Sequence, residues 1–441
     1  MPRSLLKILG TAFGLAVIIG NTIGAGILRT PGDIAASLGT PALFLGIWLV
    51  GALYATCGAN ALAELGTMMP RSGAQYVFAR HAFGDYMGFL VGWTDWMSTA
   101  ASVSAISFVF AGSVAALVPS LSDHTVAVAI ATVLAFTLLL LRGTKVGDRA
   151  QQITSLFKTL ALLVFVGACF AFGGHAAPAS VPAPVASSVS TTPLLVGLVL
   201  SAQAVIYTYD GWNGVLYFSE ELEQPGRQIP RAMFGGLLLI ALVYLLVNAA
   251  FVYAAPLASI AGSPLAAATI ARTIFGPVGD RVVNTVVVIA LPSAINANLL
   301  MDSRVLFGMS RDGLGPSSAS LVGARGTPIV ALLATCAVVV VMLASGTFQI
   351  VVAIAAFFFV LQYTISFIAL FMLRRVEPDT PRPYRARGHP WTTGLVLLGS
   401  VAFLVGAVTS DRKNSVYALA LLLASYPVFL GSRMLRSAPA G

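Results

Sequence analysis

Two apolar stretches of this chain are interrupted by residues that end helices. One break is Gly20-Asn21-Thr22-Ile23-Gly24-Ala25-Gly26 near the start, and the other is Tyr209-Asp210-Gly211-Trp212-Asn213-Gly214 in the middle of the chain. In hydrocarbon an unmet backbone amide or carbonyl costs several kcal/mol, so the backbone leaves the helix at membrane depth only where protein or a ligand meets those groups. Two such breaks at corresponding places in two halves point to a substrate site at the bilayer midplane, and therefore to a transporter.

Composition supports a membrane chain. Of 441 residues, 58% are hydrophobic and only 9% charged, with a mean hydropathy of +0.90. These values exclude a soluble globule and a disordered chain. A helix needs about 20 mostly apolar residues to cross the hydrocarbon core. Hydropathy and turn signals place twelve spans, at residues 10–38 (broken), 42–68, 85–117, 124–141, 150–173, 194–222 (broken), 232–255, 280–310, 327–345, 347–374, 391–409 and 414–434. The expected fold class is an all-α integral membrane protein forming a single polytopic domain. The first span runs through a Gly-rich break without a small-residue cleavage site, so it reads as retained helix.

Lysine and arginine orient the map, because cytoplasmic loops carry the excess. With the N-terminus inside, the inner segments hold Arg3, Lys7, Arg71, Arg80, Arg142, Lys145, Arg149, Arg227, Arg231, Arg304, Arg311, Arg325, Arg374, Arg375, Arg382, Arg385, Arg387, Arg433 and Arg436, against Arg29, Arg272, Arg281, Arg412 and Lys413 outside. Both termini are expected on the cytoplasmic side of the plasma membrane, the inner membrane of a bacterium. The net charge of +9 is thus a topology signal, and no nucleic-acid partner is expected. Cys57, Cys169 and Cys336 fall inside spans, and His81, His124, His175 and His389 are scattered over loops and span ends. Neither set suggests a disulfide framework, a metal site, a cofactor or membrane enzyme chemistry.

Spans one to five and six to ten read as two halves, about 10–173 and 194–374, each opening on a broken helix, with the last two spans (about 391–434) appended. An odd number of helices per half makes the repeats inverted. The uncharged Ala/Pro/Ser/Val-rich residues 174–193 read as an outer linker.

At the first break Gly24 and Gly26 permit conformations that turn successive amides toward a small anion, and the next half-helix presents its positive end. Close helix packing through small residues is the competing reading. At the second break Asp210 and Asn213 flank Gly211 and Trp212, and carbonyls at the end of the preceding half-helix suit an ammonium group. Amides on one helix and carbonyls on the other match the zwitterionic head of an amino acid. Trp212 is either a packing aromatic or a gating one. Asp210 has three readings: counter-charge for a cationic substrate, proton-titrating group, or acceptor capping the broken helix. Lys158 is the one lysine deep within a span; it either snorkels or serves as a fixed cation tying span five to span one where sodium would otherwise sit. Charges of both signs around Met69-Pro70-Arg71-Ser72-Gly73-Ala74-Gln75-Tyr76 and Glu220-Glu221 can lock an inner gate or be solvated helix ends.

Together, Ile19 to Ile27, Pro70-Arg71-Ser72-Gly73-Ala74-Gln75-Tyr76, Lys158, Tyr209 to Asn213 through Glu220-Glu221, Pro225 to Pro230, Ser303-Arg304-Val305-Leu306, Arg311-Asp312-Gly313 and Thr327-Pro328 resemble the amino acid, polyamine and organocation superfamily, within it the L-type amino acid transporter branch. The resemblance implies a LeuT-type five-plus-five inverted repeat with helices 1 and 6 broken. It implies a substrate carboxylate on the amides of Gly24, Ala25 and Gly26, and an α-amino group near carbonyls of Thr22, Ile23, Tyr207, Thr208 and Asp210. Lys158 matches the branch's span-five lysine, which implies sodium-independent transport, with exchange as the branch's usual mode; the low number of deep charges makes neutral L-amino acids the expected substrates. Proton symport, and transport of cationic amino acids or polyamines, remain within-class alternatives. A transporter-like sensor is the alternative of another class, and the short tails argue against it. Light chains of the branch carry a cysteine in the outer loop after span three; Pro119-Ser120-Leu121-Ser122-Asp123-His124 stands here, so no disulfide-linked heavy chain is expected. Ala25 replaces the Ser or Thr of many relatives, which removes one hydroxyl contact to a carboxylate.

Overall fold

A computed structural model describes residues 4–175, 194–410 and 412–437. The expected linker falls almost wholly outside the described residues, as does Arg3. Among the described residues all regular secondary structure is helical apart from one isolated bridge, Leu9 with Leu222. The helices are α1 (Thr11–Thr22), α2 (Gly26–Ser37), α3 (Pro41–Met68), α4 (Gln75–Phe83), α5 (Asp85–Leu117), α6 (Thr125–Leu141), α7 (Thr144–Phe172), α8 (Leu194–Thr208), α9 (Pro225–Ala254), α10 (Leu257–Ile260), α11 (Ala266–Phe275), α12 (Gly279–Arg311), α13 (Ile329–Ser345), α14 (Phe348–Val376), α15 (Trp391–Ser410) and α16 (Arg412–Ser437).

Among the described residues nine segments are long and apolar enough to cross a membrane, and α1 with α2 form a tenth, bent by 47°. The shorter apolar helices α8 and α13 complete the twelve spans expected from hydropathy. Two features differ from that expectation. The second half of span six is not an α-helix but a tight 3-10 turn, Gly214–Phe218, after a run of turns. Its five residues are all buried, so protein packing replaces the helix that hydropathy suggested. The short helices α4 and α11 were not anticipated, because a helix lying outside the spans leaves no long apolar run.

Chain ends and turns define two faces. On the face bearing the N-terminus, Ile8 and Leu9 donate their amides to the Glu221 carbonyl at 3.0 Å, and the Glu223 amide returns to Leu9 at 3.2 Å. Tyr86 at the start of α5 meets Tyr426 in the second half of α16 edge-on at 5.2 Å, so α16 runs toward this face. On the opposite face the Gly262 amide reaches the Gly32 carbonyl at 2.9 Å, tying the end of α2 to the α10–α11 connection.

The N-terminal face is sealed by ion pairs. Arg304 on α12 grips Glu221 with Nε on Oε1 at 2.9 Å and Nη2 on Oε2 at 3.1 Å, and both side chains are fully buried. The Arg304 guanidinium also lies 5.3 Å from the Phe218 ring centroid. Arg311 pairs with Glu220 at 2.7 Å, and Asp312 takes Arg71 at 2.6 Å and Arg80 at 2.8 Å. Tyr76 donates to Asp312 at 3.1 Å; burial, and then the adjacent carboxylate, push its phenol up and keep it a donor. A second buried acid, Glu64, gathers Arg374, Arg382 and the Ala386 amide, fastening the loop before α15 to α3.

Removing one partner of a fully buried pair leaves an uncompensated charge, a loss of about 3–5 kcal/mol, whereas an apolar replacement of both restores much of it. Arg304→Met is therefore expected to lower the thermal unfolding midpoint in detergent sharply, and the Arg304→Met/Glu221→Leu double variant to recover most of the loss. A single variant as stable as the wild type would contradict this account.

Candidate functional site

The two breaks cross at the middle of the bundle. Gly211, at φ +108°, would place a Cβ 2.8 Å from Asn21 Nδ2 and 3.0 Å from the Thr22 amide nitrogen. Only glycine fits there, for conformation and for space alike. Gly26 approaches Thr208 similarly, with 3.2 Å from an added Cβ to Thr208 Cγ2. Thr30 and Thr208 then share a hydroxyl hydrogen bond of 2.9 Å between α2 and α8.

Beside this crossing lies a cavity of about 470 Å³. Of the ten expected binding residues, Thr22, Gly24, Ala25, Gly26, Tyr207, Thr208, Asp210 and Asn213 line it, with Thr99 and Ser102 from α5, Asn298 and Met301 from α12, and Gln362 and Tyr363 from α14. Arg29, Asp33, Val109 and Tyr207 are exposed residues of the same lining. Arg29 and Asp33 on α2 and Val109 on α5 lie beyond the breaks on the side opposite the N-terminus, and Tyr207 lies at the second break itself, so the cavity opens on that side and is closed on the N-terminal face.

Ile23 and Trp212 do not line the cavity. Ile23 is buried and its carbonyl accepts from Lys158. Trp212 stacks on Tyr363 at 5.1 Å with 15° between ring planes, against Gly58 of α3, where an added Cβ would lie 3.1 Å from the indole. It supports Tyr363 from behind, and Tyr363 in turn donates to Asp210 Oδ1.

The orphan backbone groups at the breaks divide by type. Lys158 Nζ, fully buried, donates to the carbonyls of Gly20 at 2.8 Å and of Ile23. Tyr244 Oη lies 2.8 Å from the Thr22 carbonyl and 3.0 Å from that of Thr208. The Tyr207 carbonyl takes the Asp210 amide at 3.1 Å. Among the described residues, by contrast, the amides of Gly24, Ala25 and Gly26 donate to no acceptor, as expected of the first turn of a helix without a cap. Three free amides thus face the cavity at the positive end of α2, where backbone dipoles favour negative charge. The carbonyls of Gly20, Ile23 and Tyr207 hold one donor each, whereas those of Thr22 and Thr208 share the single hydroxyl hydrogen of Tyr244, so all of them keep acceptor capacity.

Sequence reading passed over polar residues in and beneath the cavity wall. Asp95 on α5 accepts from Tyr217 at 3.1 and 3.0 Å and from Thr99 at 3.4 Å. Asn298 donates to Asn21 at 2.9 Å. Asp302 lies buried on α12. Both acids stand inside apolar spans, and that placement is the signal that could have flagged them.

Because Gly211 holds a strained φ and touches the other break, Gly211→Ala is expected to cost about 1–3 kcal/mol of stability, read as a lower unfolding temperature in detergent. An unchanged midpoint would mean that the crossing tolerates a side chain.

Comparison with known proteins agrees with this architecture. The serine/threonine exchanger SteT of Bacillus subtilis (strain 168) is 26% identical over 436 residues, covering 98% of each chain. The Asc-type amino acid transporter 1 of Mus musculus is 28% identical, covering 99% of this chain and 83% of the relative. The large neutral amino acids transporter small subunit 2 of Homo sapiens is 29% identical, covering 97% and 81%. The amino acid permease family model matches residues 9–426, nearly the whole chain, and the chain belongs to that family.

Proposed function

We propose that this permease exchanges neutral L-amino acids across the plasma membrane without sodium, binding one substrate between the two broken helices. The observation that carries the reading is the set of unbonded amides at Gly24, Ala25 and Gly26 on the cavity wall. A carboxylate seated there gains charge-assisted hydrogen bonds that water cannot improve at that depth. The α-amino group then faces carbonyls of Thr22, Thr208 and their neighbours, and the side chain extends toward Asn213, Gln362 and Tyr363. The names of the relatives, a serine/threonine exchanger and two amino acid transporters, support the substrate class.

Lys158 takes the place of a coupling ion. A cation at the break satisfies the Gly20 and Ile23 carbonyls whether or not sodium is in the medium. The N-terminal face is cytoplasmic in this reading, which follows from its arginines, and the chain works as a transporter rather than an enzyme. The loop at residues 119–124 has no cysteine, so no disulfide-linked heavy chain is invoked. Asp210 keeps a cationic side chain as a second reading, because it lines the cavity.

The test is uptake of radiolabelled alanine into proteoliposomes in sodium-free buffer, with and without internal amino acid. Stimulation by internal substrate is expected, with competition by neutral amino acids exceeding that by arginine; uptake indifferent to internal substrate would refute exchange. Lys158→Ala leaves two buried carbonyls without a donor, at about 1–3 kcal/mol each, and is expected to reduce uptake about tenfold or more. Wild-type-like uptake in that variant would remove Lys158 from the mechanism.

A further inference from the structure

Asp302 has a position that the substrate site does not explain. It is fully buried on α12, and neither carboxyl oxygen has a hydrogen-bond partner. Arg304, two residues on, gives its guanidinium to Glu221 and Ser303. An ionised carboxylate without partner or water is far more costly there than the neutral acid, so the group carries its proton in this conformation.

Its neighbours connect it to the cavity. Met301 and Asn298, beside it and one turn before it on α12, line the cavity floor. Helices α5 and α12 run antiparallel, with Gly92 against Met309 and Trp96 against the apolar cluster that contains Leu306 and Phe307. This register sets Asp302 level with Ser98 and Thr99, one turn from Asp95. Ser98 Oγ is buried and unpartnered as well. Thr99 lines the cavity and donates to Asp95, and Tyr217 does the same from the other side.

One further acid bears on this spot: Asp210 of the second break acts on Asp95 across the cavity wall and is held by Tyr363 of α14. Among the described residues, α1 and α6 carry no titratable side chain, and α13 only Cys336. Helix α11 carries Arg272, paired with Asp280. On α7, Lys158 is held by carbonyls, and Lys145, Asp148 and Arg149 stand at the N-terminal face. The remaining acid of α5, Asp85, pairs with Arg80. From the turn after the second break, Glu221 is held by Arg304 and Tyr217 is bonded to Asp95.

We propose that Asp302, beside Asp95, is a proton-binding site loaded from the cavity when it opens as it does here and emptied when it opens to the N-terminal face. The proposal rests on the reading of the chain as an amino acid transporter. The ion pairs of Glu220, Glu221 and Asp312 seal Asp302 from the N-terminal face; when they part, water reaches the carboxyl. An aspartic acid in water, with an ordinary value of about 3.9, gives up its proton at neutral pH. Exchange moves amino acid on both legs with the proton in place, whereas net uptake returns an empty carrier that has lost it. One proton thus accompanies each amino acid taken up without exchange.

The test uses the full chain in proteoliposomes, with radiolabelled alanine outside, a pH dye inside, and exchange at equal pH as the measure of folded carrier. An inward gradient of one pH unit, worth about 1.4 kcal/mol per proton, is expected to raise accumulation up to about tenfold and to acidify the lumen with uptake. Asp302→Asn is expected to lose both responses and Asp302→Glu to regain them. Wild type that exchanges alanine but ignores the gradient overturns the proton site while the transport reading stands, as does a sodium gradient that drives the same accumulation in place of protons. Exchange absent under every condition overturns the transport reading instead. Infrared spectra of the purified protein then test the site independently: the carbonyl stretch of a protonated carboxyl group is expected at neutral pH in the wild type and lost in Asp302→Asn, and its absence from the wild type overturns the proposal.

Discussion

The rest of the structure depends on how the backbone is satisfied where two helices are interrupted inside a bilayer. Lipid offers neither donors nor acceptors. The carbonyl ends are met by two long side chains from neighbouring helices, Lys158 from α7 and Tyr244 from α9. The amide end at Gly24 to Gly26 is not met by protein. That asymmetry is chemical information, because an unfilled set of donors at a helix N-terminus asks for an anion. In the proposed function the substrate carboxylate completes the helix, so the fold is finished by its ligand.

The same crossing explains the density of small residues around it. Gly211 and Gly26 bring the two breaks into contact, Gly58 admits Trp212, and Gly92 admits Met309. Between helices in lipid there is little hydrophobic driving force, so close approach and dispersion supply the cohesion. Trp212 therefore acts one layer back from the cavity: it braces Tyr363, and Tyr363 holds Asp210.

Tyr217 joins the cavity to the closed face. Its hydroxyl reaches Asp95 from the cavity wall, and its carbonyl accepts the Gly73 amide in the loop that carries Arg71. Below it stand the buried Arg304–Glu221 pair and the more exposed pairs of Glu220 and Asp312. Opening the N-terminal face requires these contacts to separate together, since they all bridge the segment after the second break, the loop before α4 and the end of α12. A discrete set of interlocked contacts favours two states over a continuum.

The helical class, the twelve spans and the two breaks were legible in the sequence, because each follows from a local property. A long apolar run must cross the bilayer as helix, and glycines clustered within one interrupt it. The amides at Gly24 and Gly26 and the lysine at Lys158 were each left between two readings by the sequence, and packing decided that those amides stay unbonded and that Lys158 turns inward onto carbonyls. Tertiary structure alone decided what meets what. Trp212 points away from the cavity although it sits in the break motif, because Gly58 on a distant helix makes room for it. The half-helix expected after Asn213 is a tight buried turn, because residues from α1 and α12 pack around it. Asp95 and Asp302 are isolated acids in sequence; only the antiparallel packing of α5 on α12 sets one near the other beneath the cavity and leaves Asp302 without a partner. Local backbone chemistry is written along the chain, whereas the pairing of side chains far apart in sequence depends on packing, which no single segment encodes.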